Sequence, residues 1–370
     1  MTIVVFIIIL AVLIFTHELG HFWAAKKAGV RVDEFGFGFP PKIWSFRRGE
    51  TEYSINLIPI GGFVKIFGEN PDEESERGSD CSRSLIYKPR YIQAVILAAG
   101  VFLNLVLAWF LLSLSFYVGM PVAISDSPTG AVVKDERLII TSILNNSPAD
   151  KAGFLAGDTI IKLKNSEKKE ITMPSIEETQ TFIKKHADQP IEIFYSRGHG
   201  ESLERGEIKV IPRNGVVGDE AGIGITMEEI GIAKLSLLRS FVVGFQYTYS
   251  LTVATVVGFG DFIVGLFTDG GQALSNVSGP IGLFGLVSNI SRLGLVYLIN
   301  FTAIISINLA VLNLLPFPAL DGGRLLFLLI EAIKGSRLNP KIANVLNAAG
   351  FIMLLILMAV VAVSDISKLV

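Results

Sequence analysis

The sequence predicts a mostly α-helical multi-pass membrane protein of about four transmembrane helices, carrying a β-hairpin and an inserted α+β domain. Three observations lead there. The 370 residues are 51% hydrophobic, with 25 Phe and a mean hydropathy of +0.54, more than a water-soluble domain carries. Four apolar runs are long enough for the roughly 17–25 residues that a membrane helix needs. Between the second and third runs lies a long polar stretch with strand and helix patterns of its own, as a separate folded domain requires.

Residues 1–25 form the first span. The run is too long for a secretory signal and lacks a basic leading end, so it is expected to remain in the mature chain. Residues 26–91 are polar and include Glu52–Ile66, whose alternating residues beside Gly61 and Gly62 predict a hairpin with a Gly-Gly turn. Residues 92–119 are the second span and 122–215 the inserted domain, where Ser175-Ile176-Glu177-Glu178 reads as a capping box that opens a short helix.

Residues 216–294 are expected to be interfacial or half-embedded, because the apolar run Phe241–Phe267 is interrupted by Gly244, Gln246, Gly258, Gly260 and Asp261. The third span is 295–323, the loop after it 324–347, and the fourth span 348–366. Basic residues mark the cytoplasmic loops: Lys26, Lys27, Arg31, Lys42, Arg47, Arg48, Arg83, Lys88 and Arg90 in one, and Lys334, Arg337 and Lys341 in the other. The amino terminus and the inserted domain then face the opposite side, which in a bacterium is extracytoplasmic.

The chemistry sits in the first span, at His17-Glu18-Leu19-Gly20-His21. Residues i and i+4 share a helix face, so two imidazoles can meet one zinc ion, with Glu18 beside it as general base. Ionisable groups at membrane depth cost roughly 2.5–3.5 kcal/mol each on insertion scales and persist mainly where they face a protein interior or wet cavity. That setting lifts the motif above a chance match in a soluble helix.

A catalytic zinc wants a third protein ligand and one open position. The remaining histidines, His186 and His199, fall in the inserted domain across the membrane, and the single cysteine, Cys81, is a bystander. A carboxylate is therefore required, and Asp321 is the best candidate. It follows Pro316 and Pro318, which break the helix where irregular backbone is tolerated only beside a protein interior or cavity. An Asp-Gly-Gly turn at a helix exit is the plainer alternative. Sharing one ion at equal depth requires the first and third spans to run parallel, and a full crossing by 241–267 would turn the third span over. The net charge of −2 and dispersed basic residues give no footprint for nucleic acid.

These motifs resemble the site-2 protease family of intramembrane zinc metalloproteases, most closely its bacterial sigma-E-regulating branch. The resemblance spans nearly the whole chain: the His17–His21 motif is similar to the family's zinc-binding first helix, and Asn313–Gly323 to its N-x-x-P-x-P-x-x-D-G-G element, whose aspartate is the third ligand. It implies that Asn308 and Asn313 bond substrate backbone, although an intramembrane Asn can equally join two helices. Gly100–Asn104 resembles a G-x-x-x-N element, with packing as its first role.

The hairpin resembles a re-entrant β-loop that pairs with substrate strand-wise, which makes Gly61 and Gly62 candidate substrate contacts; an ordinary surface hairpin remains the alternative. Ser147–Ile161 is similar to protease-type PDZ domains, and the space fits a single one. Ser278–Gly282 resembles a motif that ends a peripheral segment. The resemblance implies a zinc endopeptidase of the bacterial inner membrane, with an extracytoplasmic PDZ domain, that cuts single-span proteins such as pre-cleaved anti-sigma factors or remnant signal peptides. A metal-dependent membrane transporter or sensor using the same ligands is the rival, and Glu18 discriminates between them.

Overall fold

Lipid offers a backbone no hydrogen-bond partner, so an apolar run satisfies its amides internally as a helix. The computed structural model describes residues 2–69, 74, 78–167, 169–198, 203–217, 220–268 and 279–367. In chain order it runs α1 (Thr2–Lys27), β1 (Val32–Arg48), β2 (Thr51–Ile66), α2 (Arg90–Val118), β3 (Met120–Ala123), β4 (Val132–Ile143), α3 (Pro148–Ala152), β5 (Thr159–Asn165), β6 (Glu170–Thr172) and α4 (Ile176–Lys185). Then follow β7 (Ile191–Arg197), β8 (Glu204–Val210), β9 (Arg213–Val217), β10 (Glu220–Gly222), β11 (Ile225–Lys234), α5 (Leu237–Thr268), α6 (Pro280–Leu293), α7 (Leu295–Leu314), α8 (Asp321–Lys334) and α9 (Pro340–Ser367). These elements form two compact units, one of residues 1–112, 244–288 and 299–370, the other of 113–243 and 289–298.

Among the described residues, five helices rather than four are long and apolar enough to cross a membrane: α1, α2, α5, α7 and α9. The addition is α5. Its 32 residues form one continuous helix, about 48 Å long at 1.5 Å per residue, against a hydrocarbon core of about 30 Å. The glycines that suggested interruption each cost about 1 kcal/mol in a helix, whereas an unsatisfied backbone group in lipid costs several. Two of its threonines are absorbed as well: the Thr248 hydroxyl donates to the Gly244 carbonyl and the Thr252 hydroxyl to the Thr248 carbonyl, both at 2.7 Å, while Gln246 and Asp261 stay exposed.

In the first unit, β1 and β2 are each long enough to change partner. Glu34–Phe37 pairs with Glu52–Ile55 on one side and with Lys65–Gly62 on the other, while Lys42–Arg48 pairs with Asn56–Thr51. Two strands thus serve as four segments, in the order 42–48, 51–58, 32–39, 62–66. The expected Gly61-Gly62 turn is corrected accordingly: the connecting turn is Gly49-Glu50, and Gly61, at φ +106°, lies inside β2 where it changes partner. That φ falls in the left-handed region, so the local signal resembled a turn.

Ala25, Val30, Val32, Ile66, Leu85 and Ile96 form the apolar core where the sheet meets α1 and α2. Glu50 ties the turn down, accepting from Lys26 at 2.6 Å and Arg83 at 2.7 Å. The Arg83 guanidinium, then the Lys26 ammonium, hold its carboxyl at about 2, below its ordinary value. The far end of the sheet exposes Phe39, Ile43, Trp44, Leu57 and Ile58.

The second unit carries a seven-stranded sheet in the order β3-β11-β4-β5-β7-β8, with β6 on β5. Its core includes Leu138, Ile140, Phe154, Ile160, Leu163, Phe182, Ile191 and Ile193. The Ser175–Glu178 capping box is present as expected. The sheet extends past the boundary expected at 215, because β11 lies between β3 and β4. Glu228 and Glu229 hid that strand in the sequence, yet Glu229 has a structural partner: it accepts from the Ile176 backbone amide at 2.7 Å and secures the start of α4. His186 has an ordinary local role, with Nδ1 2.7 Å from the Phe182 carbonyl and Nε2 3.0 Å from Asn165. His199 and Ser278 lie outside the described residues.

Candidate metal centre

The buried face of α1 carries Leu13, His17, Gly20, His21 and Ala25, one stripe at helical spacing. Glycines let α2 approach this stripe at backbone distance. A Cβ on Gly20 would strike the Ala99 carbonyl and lie 2.8 Å from the Gly100 Cα. One on Gly100 would strike His21 Nε2 and lie 2.8 Å from His17 Cε1. The imidazoles are therefore packed directly on α2 backbone, and His17 and His21 are only 8% and 7% exposed. We expect Gly100→Val to lower the zinc content of the purified protein by about tenfold or more. Gly258→Val, at a glycine with nothing within 4 Å, should leave zinc content unchanged.

Asp321 arrives through a broken helix. α7 ends at Leu314, Pro316 and Pro318 cannot donate to a continuing ladder, and Ala319 adopts φ +77°. Asp321 is then the first residue of α8. Gly322 and Gly323 make the reversal possible, since a Cβ on either would collide with the Leu314, Leu315 or Phe317 carbonyls. The chain therefore turns at residues 318–319, and Asp321, Gly322 and Gly323 open α8 instead of forming an Asp-Gly-Gly turn.

The result is a compact triad. Asp321 Oδ2 lies 3.0 Å from His17 Nε2 and 3.3 Å from His21 Nε2, and the two Nε2 atoms are 3.2 Å apart. A tetrahedral zinc with bonds of about 2.0–2.1 Å has ligand-to-ligand edges of about 3.3 Å. Two nitrogens and a carboxylate at this spacing fit that ion, and among the described residues this is the group of His, Cys, Asp and Glu side chains that could hold a metal. The His21 ring is held in a suitable orientation, because its Nδ1 lies 2.9 Å from the Ile96 carbonyl, which leaves the Nε2 lone pair free.

Beside the triad a cavity of about 590 Å³ is lined by Glu18, Gly62, Phe63, Val64, Glu69, Arg324 and Asn344 together with the three donors. Glu18 meets strand 62–66 closely, for a Cβ on Gly62 would lie 3.3 Å from Glu18 Cγ. The Asn313 amide is 3.4 Å from His17 Nε2.

Two sequence candidates fall elsewhere. Asn308 turns to α5, accepting from the Thr255 hydroxyl at 3.3 Å, and Gly61 packs against the Phe39 ring. Two charged residues of the chamber were not anticipated. Arg324 and Glu69 line it as an ion pair. Arg324 follows Asp321 by three residues on α8, a spacing that places both on one face and could have revealed it; Glu69 carries no such signal.

The model of peptidase family M50 matches residues 5–357. A Nostoc sp. protein provisionally named a zinc metalloprotease is 35% identical over 96% of this chain and 93% of its own length. Proteins named zinc metalloprotease RasP from Shouchella clausii and Geobacillus kaustophilus are 30% and 31% identical, covering 100% and 99% of this chain and 99% and 98% of their own.

Proposed function

The chain belongs to peptidase family M50, and from that membership we propose an intramembrane zinc endopeptidase that cuts single-span membrane proteins. The observation that carries the assignment of residues is the triad of His17, His21 and Asp321, with Glu18 on the same cavity. When bound, zinc supplies Lewis acidity to the scissile carbonyl and to the hydrolytic water.

Glu18 then accepts a proton from that water as its oxygen bonds to the carbonyl carbon, and returns it to the amide nitrogen as the C–N bond breaks. A transmembrane substrate must unwind before its peptide bonds are open to attack. Strand 62–66 replaces part of what unwinding loses, because its outer side faces the cavity through Gly62, Phe63 and Val64 and can accept substrate as an added strand. Asn313, beside His17, is placed to donate to a substrate carbonyl. Glu18 on the donor set and the relatives' names favour hydrolysis over metal transport.

The finer picture is also ours. We place the chain in a bacterial inner membrane, with the unit centred on the seven-stranded sheet as a single extracytoplasmic PDZ-like domain that filters substrates by size. Pre-cleaved anti-sigma factors and remnant signal peptides have the single-span form such a site takes. α1 and α7 run in the same direction: α2 meets His21 through Ile96 and His17 through Gly100, while Ser306 of α7 bonds Asn104 and Asn313 reaches His17. A crossing by α5 then requires the chain to return before α7 begins.

The full chain in nanodiscs should cleave a model single-span helix, lose that activity to a zinc chelator and regain it with added zinc. Undiminished cleavage after the metal is stripped, or none with zinc loaded, overturns the proposal.

A further inference from the structure

Both imidazoles of the triad lean on α2, at Ile96, Gly100 and Asn104, one helical stripe with a four-residue step. The support for His21 is plain. A backbone carbonyl only accepts, so the Ile96 oxygen, 2.9 Å away, puts the proton on Nδ1 and leaves Nε2 bare. His17 needs the same tautomer, because its Nε2 is the atom that faces Asp321 and His21.

The group behind the His17 ring is Asn104, which is 0% exposed in the middle of a membrane helix, where a polar side chain without a partner is expensive. Its Nδ2 stands 3.4 Å from His17 Nδ1, its Oδ1 has no partner, and its backbone carbonyl accepts from the Ser306 hydroxyl at 2.8 Å. An amide that donates to Nδ1 would drive the ring proton onto Nε2 and close that atom to a metal. The two ends of a side-chain amide are told apart only by their hydrogen bonds. A half-turn about χ2 brings Oδ1 to His17, where it accepts from Nδ1–H; the buried oxygen gains its partner and Nε2 is opened.

Building on the zinc protease reading, we infer that Asn104 is a positioning residue: through Oδ1 it fixes the tautomer and plane of His17, as the Ile96 carbonyl does for His21. Asn104 does not touch the substrate in this role, and packing between helices is secondary to it.

Zinc affinity of the detergent-solubilised full chain, measured by competition with a chromogenic chelator, tests this without any turnover. Asn104→Leu, close in size but without an acceptor, should bind zinc about 10–100-fold more weakly, whereas Asn104→Asp, which can only accept, should stay within about threefold of wild type. Helical circular dichroism of the metal-free variants reports folding separately. Wild-type affinity in Asn104→Leu overturns the inference, and so does an Asn104→Asp loss as large as that of Asn104→Leu. If Asn104→Leu does not fold, Asn104→Asp decides between acceptor and donor alone, because an amide needed as a donor to Nδ1 fails on conversion to a carboxylate. A wild-type chain that binds no zinc would instead sink the protease reading.

Discussion

Glu18→Gln should leave zinc bound and slow cleavage of a single-span substrate by about 10²–10⁴-fold, the usual contribution of a positioned proton-transfer group. The substitution keeps the shape that packs beside Gly62 and lines the cavity and removes only the capacity to take a proton. His17, His21 and Asp321 keep their mutual spacing of 3.0–3.3 Å, so metal content is the internal control. The measurement is a pair: initial cleavage rate in nanodiscs and zinc per mole of the same preparation. Cleavage within a few-fold of wild type at full zinc would remove Glu18 from the mechanism.

Asp321→Ala acts on the other half of the centre. It withdraws the one anionic donor among three, and the two imidazoles left on α1 cannot complete the three-ligand set of a catalytic zinc. We expect zinc affinity to fall by more than about 100-fold, beyond what loss of a supporting hydrogen bond costs, and cleavage to become undetectable. The chain reversal before α8 should survive, since it rests on Pro316, Pro318, Gly322 and Gly323 rather than on the carboxylate. Stoichiometric zinc in Asp321→Ala would assign the third donor elsewhere.

The centre is legible in the sequence because its parts obey local rules. Two histidines one turn apart must share a helix face, ionisable groups in a lipid-facing run need a reason, and two prolines end a helix at a known residue. What escapes depends on contacts distant in sequence. Asn308 looks as suited to substrate as Asn313, and only the placement of Thr255 on α5 separates them. Gly61 and Gly62 carry the sequence signature of a turn, and only Gly61 has a positive φ; pairing with residues 32–39 keeps both inside a strand. The run that forms α5 reads as interrupted because composition counts its glycines but does not show threonine hydroxyls returning to the preceding carbonyls. The strand at 225–234 is masked by two glutamates, one of which holds the amino end of another helix.

The glycine contacts between α1 and α2 also decide how freely this chain can drift. Ile3, Val4, Ile8, Val12 and Phe15 point outward and tolerate exchange among greasy side chains. At Gly20 and Gly100 even one methyl group meets backbone or imidazole. Tolerance along the first helix is therefore all-or-nothing, wide on the outside and nil along one line, and a redesign of the protein for another membrane has the outer face to work with and nothing else.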